Sequence, residues 1–228
     1  MKKTSLKIAV CSCLLLGSAS VLAGPINTLI NGSFEDGFNG WTLGGVYTDG
    51  FAPVVIDYNS TAAYPTGAFN EAIPPSDAAG NPGFDASGLH AAYFVSDTTN
   101  PQTLSQTVET IAGIKYTFGF DVYLPANGSS NINDSAFSAT VGTNTFASFL
   151  GSGTAATTWT HFSSEAIADV TGSSQFTMTF HSSGFPSKDF VIDRVYFAPT
   201  DTIPEPTSVL LSSSVLALGF WIRRRFID

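Results

Sequence analysis

The sequence predicts an all-β fold, a two-sheet antiparallel β-sandwich of the jelly-roll kind, on three observations. Apolar and polar residues alternate with a period of two in runs such as "KYTFGFDVY" at 115–123, and no long run repeats with a period of 3.6. These runs are rich in Phe, Tyr, Val and Thr and are separated by clusters of Gly, Asn, Ser, Asp and Pro. Both cysteines, Cys11 and Cys13, fall in the first 23 residues, so the body contains no disulfide. It must be held by an ordinary apolar core, which a body of about 180 residues is long enough to bury.

Taken in order, the chain opens with Lys2, Lys3 and Lys7, an apolar stretch at 8–16 and small residues up to Ala23. This is the layout of a secretory signal peptide over 1–23, and its apolar core is too short to cross about 30 Å of hydrocarbon. The body, 24–202, is therefore expected outside the inner membrane. Its strands are expected at 46–55, 90–96, 103–108, 115–123, 136–141, 145–150, 159–167, 175–182 and 189–197, nine or ten in all. Tyr116, Phe118, Phe120 and Val122 share one face of their strand, as do Phe176, Met178 and Phe180 opposite Thr177, Thr179 and His181. "DFVIDRVYF" is apolar on both parities, as a central strand covered on both faces should be. Stretches 59–87 and 125–135 read as long surface loops. Trp41 and Trp159 read as core, while Tyr58 and Tyr64, flanking the first loop, are freer to meet a ligand, with Tyr123 as a further aromatic.

Sixteen acids and three bases (Lys115, Lys188, Arg194) fall in 24–202, a formal charge near −13. Such a surface repels nucleic acid and anionic lipid and suits divalent cations or neutral glycans. Catalysis has little support: His90, His161 and His181 sit on separate strands, and no nucleophile elbow, metalloprotease helix or phosphate loop occurs. Two carboxylates for glycoside hydrolysis can always be found among so many acids, so their presence decides nothing. The protein is expected not to be an enzyme.

The body opens with "NGSFEDGFNGW" and closes with "FVIDRVYF", and between them come "TLSQTVETIAGIKYTFGFDVY", "WTHFS" and "TMTF". This order resembles the galactose-binding-like jelly roll of carbohydrate-binding modules over 31–197. The resemblance implies a structural calcium ion held by Glu35 and Asp193, with Asn31 contributing and Asp36 alternating away. Calcium takes six to eight oxygen ligands, which carboxylates and loop carbonyls supply. The alternative is that Glu35 is a solvated turn residue and that Asp193 pairs with Arg194 or caps a backbone amide. No residue is assigned to a glycan.

The chain ends "IPEPTSVLLSSSVLALGFWIRRRFID". As a helix, 209–222 would reach only about 20 Å, short for a membrane span, with Arg223, Arg224 and Arg225 snorkelling at its cytoplasmic side. Pro204-Glu205-Pro206, an apolar segment and an arginine cluster resemble the PEP-CTERM sorting signal over 203–228. That resemblance implies recognition by exosortase, transient residence in the inner membrane, and delivery to the cell surface or extracellular matrix after the tail is processed. The expectation is a non-enzymatic surface protein of an exopolysaccharide or biofilm layer. The second reading is a carbohydrate-binding module with a defined glycan, and a third, a glycoside hydrolase or lyase, lacks any motif.

Overall fold

In a computed structural model of the chain, residues 27–45, 51–76, 86–95 and 100–200 are described. They contain ten strands: β1 Thr42–Gly45, β2 Val54–Asp57, β3 His90–Phe94, β4 Gln102–Thr110, β5 Lys115–Tyr123, β6 Ser135–Val141, β7 Asn144–Leu150, β8 Thr160–Ile167, β9 Gly172–Ser182 and β10 Phe190–Pro199. One sheet has the order β1-β4-β9-β6-β7 and the other β2-β3-β10-β5-β8, with antiparallel neighbours throughout. The jelly-roll sandwich expected from the alternation is present. The strand expected at 46–55 is realised only from Val54 among the described residues, and β1 was not anticipated.

The alternating faces meet as expected. Phe118 of β5 lies 5.4 Å from Phe176 of β9, and Phe120 lies 5.1 Å from Phe137 of β6. Tyr116, Val122, Met178 and Phe180 are buried in the same inter-sheet core. Trp41 joins that core, its ring stacked on Phe34. β10 changes parity at a bulge between Asp193 and Tyr196, where Arg194 takes a left-handed φ of 51°. Ile192 therefore faces the core before the bulge, and Val195 and Phe197 face it afterwards. The bulge leaves the Val195 amide to donate to Gly32 O, while Thr28 N donates to Phe197 O at 2.8 Å. Opening and closing segments thus pack as partners.

The described part of the 59–87 loop is not the open surface loop expected from composition. Tyr58, Ala68 and Ile73 lie over the outer face of the second sheet and form a second core with Ile56, Ala91, Tyr93, Val95, Tyr123 and Val191. The reason is legible in β10: apolar residues on both parities require cover on both faces. Tyr58 is therefore buried rather than available, and Trp159, expected in the core, is half-buried at the edge of this second cluster.

Because successive strands reverse direction, their connections fall at two ends. Turns 111–114, 142–143 and 168–171 lie at one end, the turn end, with Gly113 supplying a φ of 82°. Longer connections, 124–134, 151–159 and 183–189, lie at the other, the loop end.

Candidate functional site: a cleft at the loop end

Loop 58–76 brings a tight hairpin to the loop end, bridged between Ala68 and Glu71, in which both central residues are left-handed: Phe69 at φ 47° and Asn70 at φ 66°. Asn tolerates this conformation, whereas a bulky aromatic rarely adopts it. The result is a Phe69 ring 40% exposed, stacked on Tyr64 at 5.5 Å and tilted against Phe51 at 6.3 Å.

Facing it is the connection after β5, which forms one helical turn, Ala126–Ser129. The Glu71 carboxylate accepts from the amides of Ala126 at 2.7 Å and Asn127 at 3.0 Å. At the opposite end of the turn, Lys188 Nζ donates to the carbonyls of Ser129 at 2.6 Å and Asn131 at 3.1 Å. An acid at the amide end and a base at the carbonyl end match the polarity of the peptide groups. The two walls are tied directly, since Asn127 Nδ2 donates to Ala68 O at 3.0 Å. Asn131 Nδ2 donates to Ser187 O at 2.5 Å and fixes the third loop. Between these walls lies a cleft of about 220 Å³ lined by Phe69, Val95, Asn127, Asn131 and Asp189. Asp189 is 4% exposed and its Oδ2 accepts from Tyr93 Oη at 2.6 Å. Gly128 is required beside it, because a Cβ there would stand 2.7 Å from that of Asp189.

A second polar group lies beneath the loop that covers the sheet. Antiparallel register sets Asp193 beside Asp121, both fully buried. Asp193 accepts from Tyr58 Oη at 2.5 Å and from the Arg194 amide at 2.7 Å. Asp121 accepts from Ser76, meets His161 Nδ1 at 2.9 Å and lies 3.7 Å from the Arg194 guanidinium. His161 Nε2 in turn is 3.3 Å from Tyr196 Oη. Burial pushes Asp193 up to about 8, against the lowering effect of its hydrogen bonds to Tyr58 and the Arg194 amide. At neutral pH Asp193 holds its proton, so the pair avoids two adjacent charges. Burial also raises Tyr58, reinforced by Asp193, and raises Tyr196 to about 12, reinforced by Asp121. With these phenols protonated and the acids partnered, the network pins loop 58–76 to the sheet.

The residues expected to hold calcium are engaged elsewhere. Glu35 Oε1 accepts from the amides of Leu89 at 2.8 Å and His90 at 2.9 Å. Asn31 ties the opening loop, accepting from the Asp36 amide at 3.1 Å and donating to Gly37 O at 2.9 Å and Asn39 O at 3.0 Å. Asp36 accepts from Asn39 Nδ2. No group of three or more His, Cys, Asp or Glu disposed to hold a metal occurs among the described residues. Asp193 does cap the Arg194 amide, as the alternative reading anticipated. His90 Nε2 lies 3.1 Å from Asp57, and His181 is exposed on the first sheet. The signal peptide 1–23 and the sorting residues Pro204, Glu205, Pro206, Arg223, Arg224 and Arg225 lie outside the described residues.

No family model matches the chain, and no curated protein does. Among solved structures, TmCBM61 in complex with beta-1,4-galactotriose is similar at a TM-score of 0.48 and 24% identity, over 76% of this chain and 98% of that one. The family 16 carbohydrate-binding module-2 is similar at a TM-score of 0.44 and 13% identity, over 75% and 99%. The enzymatically active domain of bacteriophage CBA120 tailspike protein 4 is similar at 0.48 and 15%, over 76% of this chain but 21% of that one. At these scores the likenesses transfer no residue role and no ligand.

Proposed function

We propose that the domain binds a glycan in the cleft at the loop end, as a non-catalytic module of an exported protein. Phe69 carries this reading: a ring held exposed by a left-handed backbone stands over a cleft whose polar groups are two amides and a carboxyl group. Such a conformation costs about 1–3 kcal/mol and persists only where surrounding contacts enforce it. A pyranose has an apolar C–H face to lay on the ring and hydroxyls to pair with Asn127 and Asn131. Among the described residues that line the cleft one carries a carboxyl group, whereas hydrolysis of a glycosidic bond usually uses two. Titration calorimetry against a panel of oligosaccharides tests the reading. Phe69→Ala should weaken binding at least about tenfold, about 1.4 kcal/mol, with an unchanged circular dichroism spectrum. Equal affinity of the variant for every ligand bound would overturn it.

The chain ends extend the proposal. Removal of 1–23 and recognition of Pro204-Glu205-Pro206 by exosortase would deliver the domain to the cell surface or an exopolysaccharide matrix, and the order of motif, apolar segment and arginines supports this. Mass spectrometry of surface-extracted protein should then show a chain lacking the segment after about Ile203. Exported protein that still ends at Asp228 would dismiss the sorting role.

A further inference from the structure

We infer that the ligand of the cleft is a chain of several sugar units, which runs from Phe69 past Asn131 onto a second apolar platform formed by Ile132 and Phe185; this rests on the glycan-binding reading above. Ile132 is 88% exposed and Phe185 70%, more than any other large apolar side chain among the described residues. A singly exposed apolar residue needs no explanation, but these two stand on loops whose backbones are tied together on either side of them. Asn133 donates to Pro186 O through its amide at 3.3 Å and through Nδ2 at 2.9 Å, and Ser183 N donates to Asp134 O at 2.9 Å. Asn131 Nδ2 donates to Ser187 O, and Gly184 packs on the Asn133 side chain, where a Cβ would stand 2.8 Å from it. A fixed frame thus presents Ile132 and Phe185, as the tight hairpin presents Phe69.

That frame is continuous with the cleft. Asn131 lines the cleft and directly precedes Ile132, and its side chain holds Ser187, two residues from Phe185 and so at most about 7 Å from it between Cα atoms. A glycan threaded past Asn131 brings its next units to this platform. The chemistry suits the same ligand, because apolar side chains receive the C–H face of a pyranose, and two contact points on one chain reinforce each other. Other occupants fit less well. The formal charge near −13 on the body repels anionic lipid. A second copy of the chain calls for roughly 800 Å² on each partner, against on the order of 300 Å² that two such side chains offer.

Titration calorimetry with cello-, galacto- and xylo-oligosaccharides of two to six units tests this. In a series that binds, affinity should rise at least about tenfold from the dimer to the hexamer. Phe185→Ala, a change at an exposed position, should leave affinity for the dimer unchanged and remove most of that rise, with Ile132→Ser doing the same to a smaller degree. Phe69→Ala, by contrast, should weaken every length. Affinity that does not rise with length, or a rise that survives intact in Phe185→Ala, would overturn the second platform while Phe69→Ala still upholds the cleft. If Phe69→Ala changes no affinity, or the parent binds none of the three series, the glycan-binding reading fails and the extended site fails with it. Light scattering and sedimentation with phosphatidylcholine vesicles separate the other occupants: self-association or vesicle binding that Phe185→Ala abolishes would reassign the platform and overturn the inference.

Discussion

The two ends of the sandwich hang from the same strands and differ in what joins them. At the turn end the connections 111–114, 142–143 and 168–171 close the hairpins with little to spare. At the loop end 124–134, 151–159 and 183–189 are long enough to fold on themselves, and they are cross-tied by side chains. Asp134 shows how: its carboxylate accepts from Ser135 N and Ser152 N, both at 2.9 Å, and its carbonyl accepts from Ser183 N at 2.9 Å, so one residue links all three loops. Short turns cannot enclose a ligand. Cross-tied loops can, without ordering entropy having to be supplied at the moment of binding.

The largest expected effect breaks both ends together. Phe118→Ala removes a ring from the shared core and should cost about 3–5 kcal/mol in urea unfolding. A variant as stable as the parent would mean that the two sheets do not depend on this contact.

Next comes pH. Asp193 has its folded value raised to about 8, so the folded state holds a proton that the unfolded chain releases near the ordinary carboxylate value. The extra stability is present at low pH and is lost as pH rises through that window, at up to about 1.4 kcal/mol per unit, levelling off above about 8. Melting followed across this range should show the decline, and Asp193→Asn should flatten it. A decline that persists in the variant would assign it to other groups.

A pair of substitutions sharpens the contrast between the ends. Gly113→Ala at the turn end meets an unfavourable backbone, with nothing near the added Cβ, and should cost about 1–2 kcal/mol of stability while leaving glycan affinity unchanged. Asn127→Ala at the loop end removes a tie between the cleft walls worth about 1 kcal/mol, and it should lower affinity more than stability. Equal effects of the two variants on binding would erase the distinction. Chelation is expected to do least: Glu35 and Asp193 already accept from protein donors, so the melting temperature should not move. A fall of several degrees would show that calcium displaces those donors.

The single-face strands β5 and β9 were legible because one buried face imposes a period of two on the sequence. β10 was legible for the opposite reason, its apolar residues on both parities. What covers its outer face was not. Tyr58 and Ile73 are isolated apolar residues in a stretch without period, and their burial is decided by the sheet beneath them. Asp193 could be marked as unusual from its motif, but its neighbour Asp121 lies 72 positions away and appears only through strand register. The cleft residues were harder still. Asn127 and Asn131 fall in a stretch read only as a surface loop, and nothing local says that "FNE" at 69–71 forms a turn exposing its aromatic residue.

Thr28 and Phe197 are hydrogen-bonded neighbours, so the described chain enters and leaves the fold one strand spacing apart. In mechanical terms, tension applied between the two ends is borne by the few bonds that Asn27 and Thr28 make with β10, and the path does not cross the cleft. In modular terms, such a domain can be strung between neighbours or circularly permuted: joining its ends and opening the turn at 142–143 would keep every strand pairing that builds the loop end.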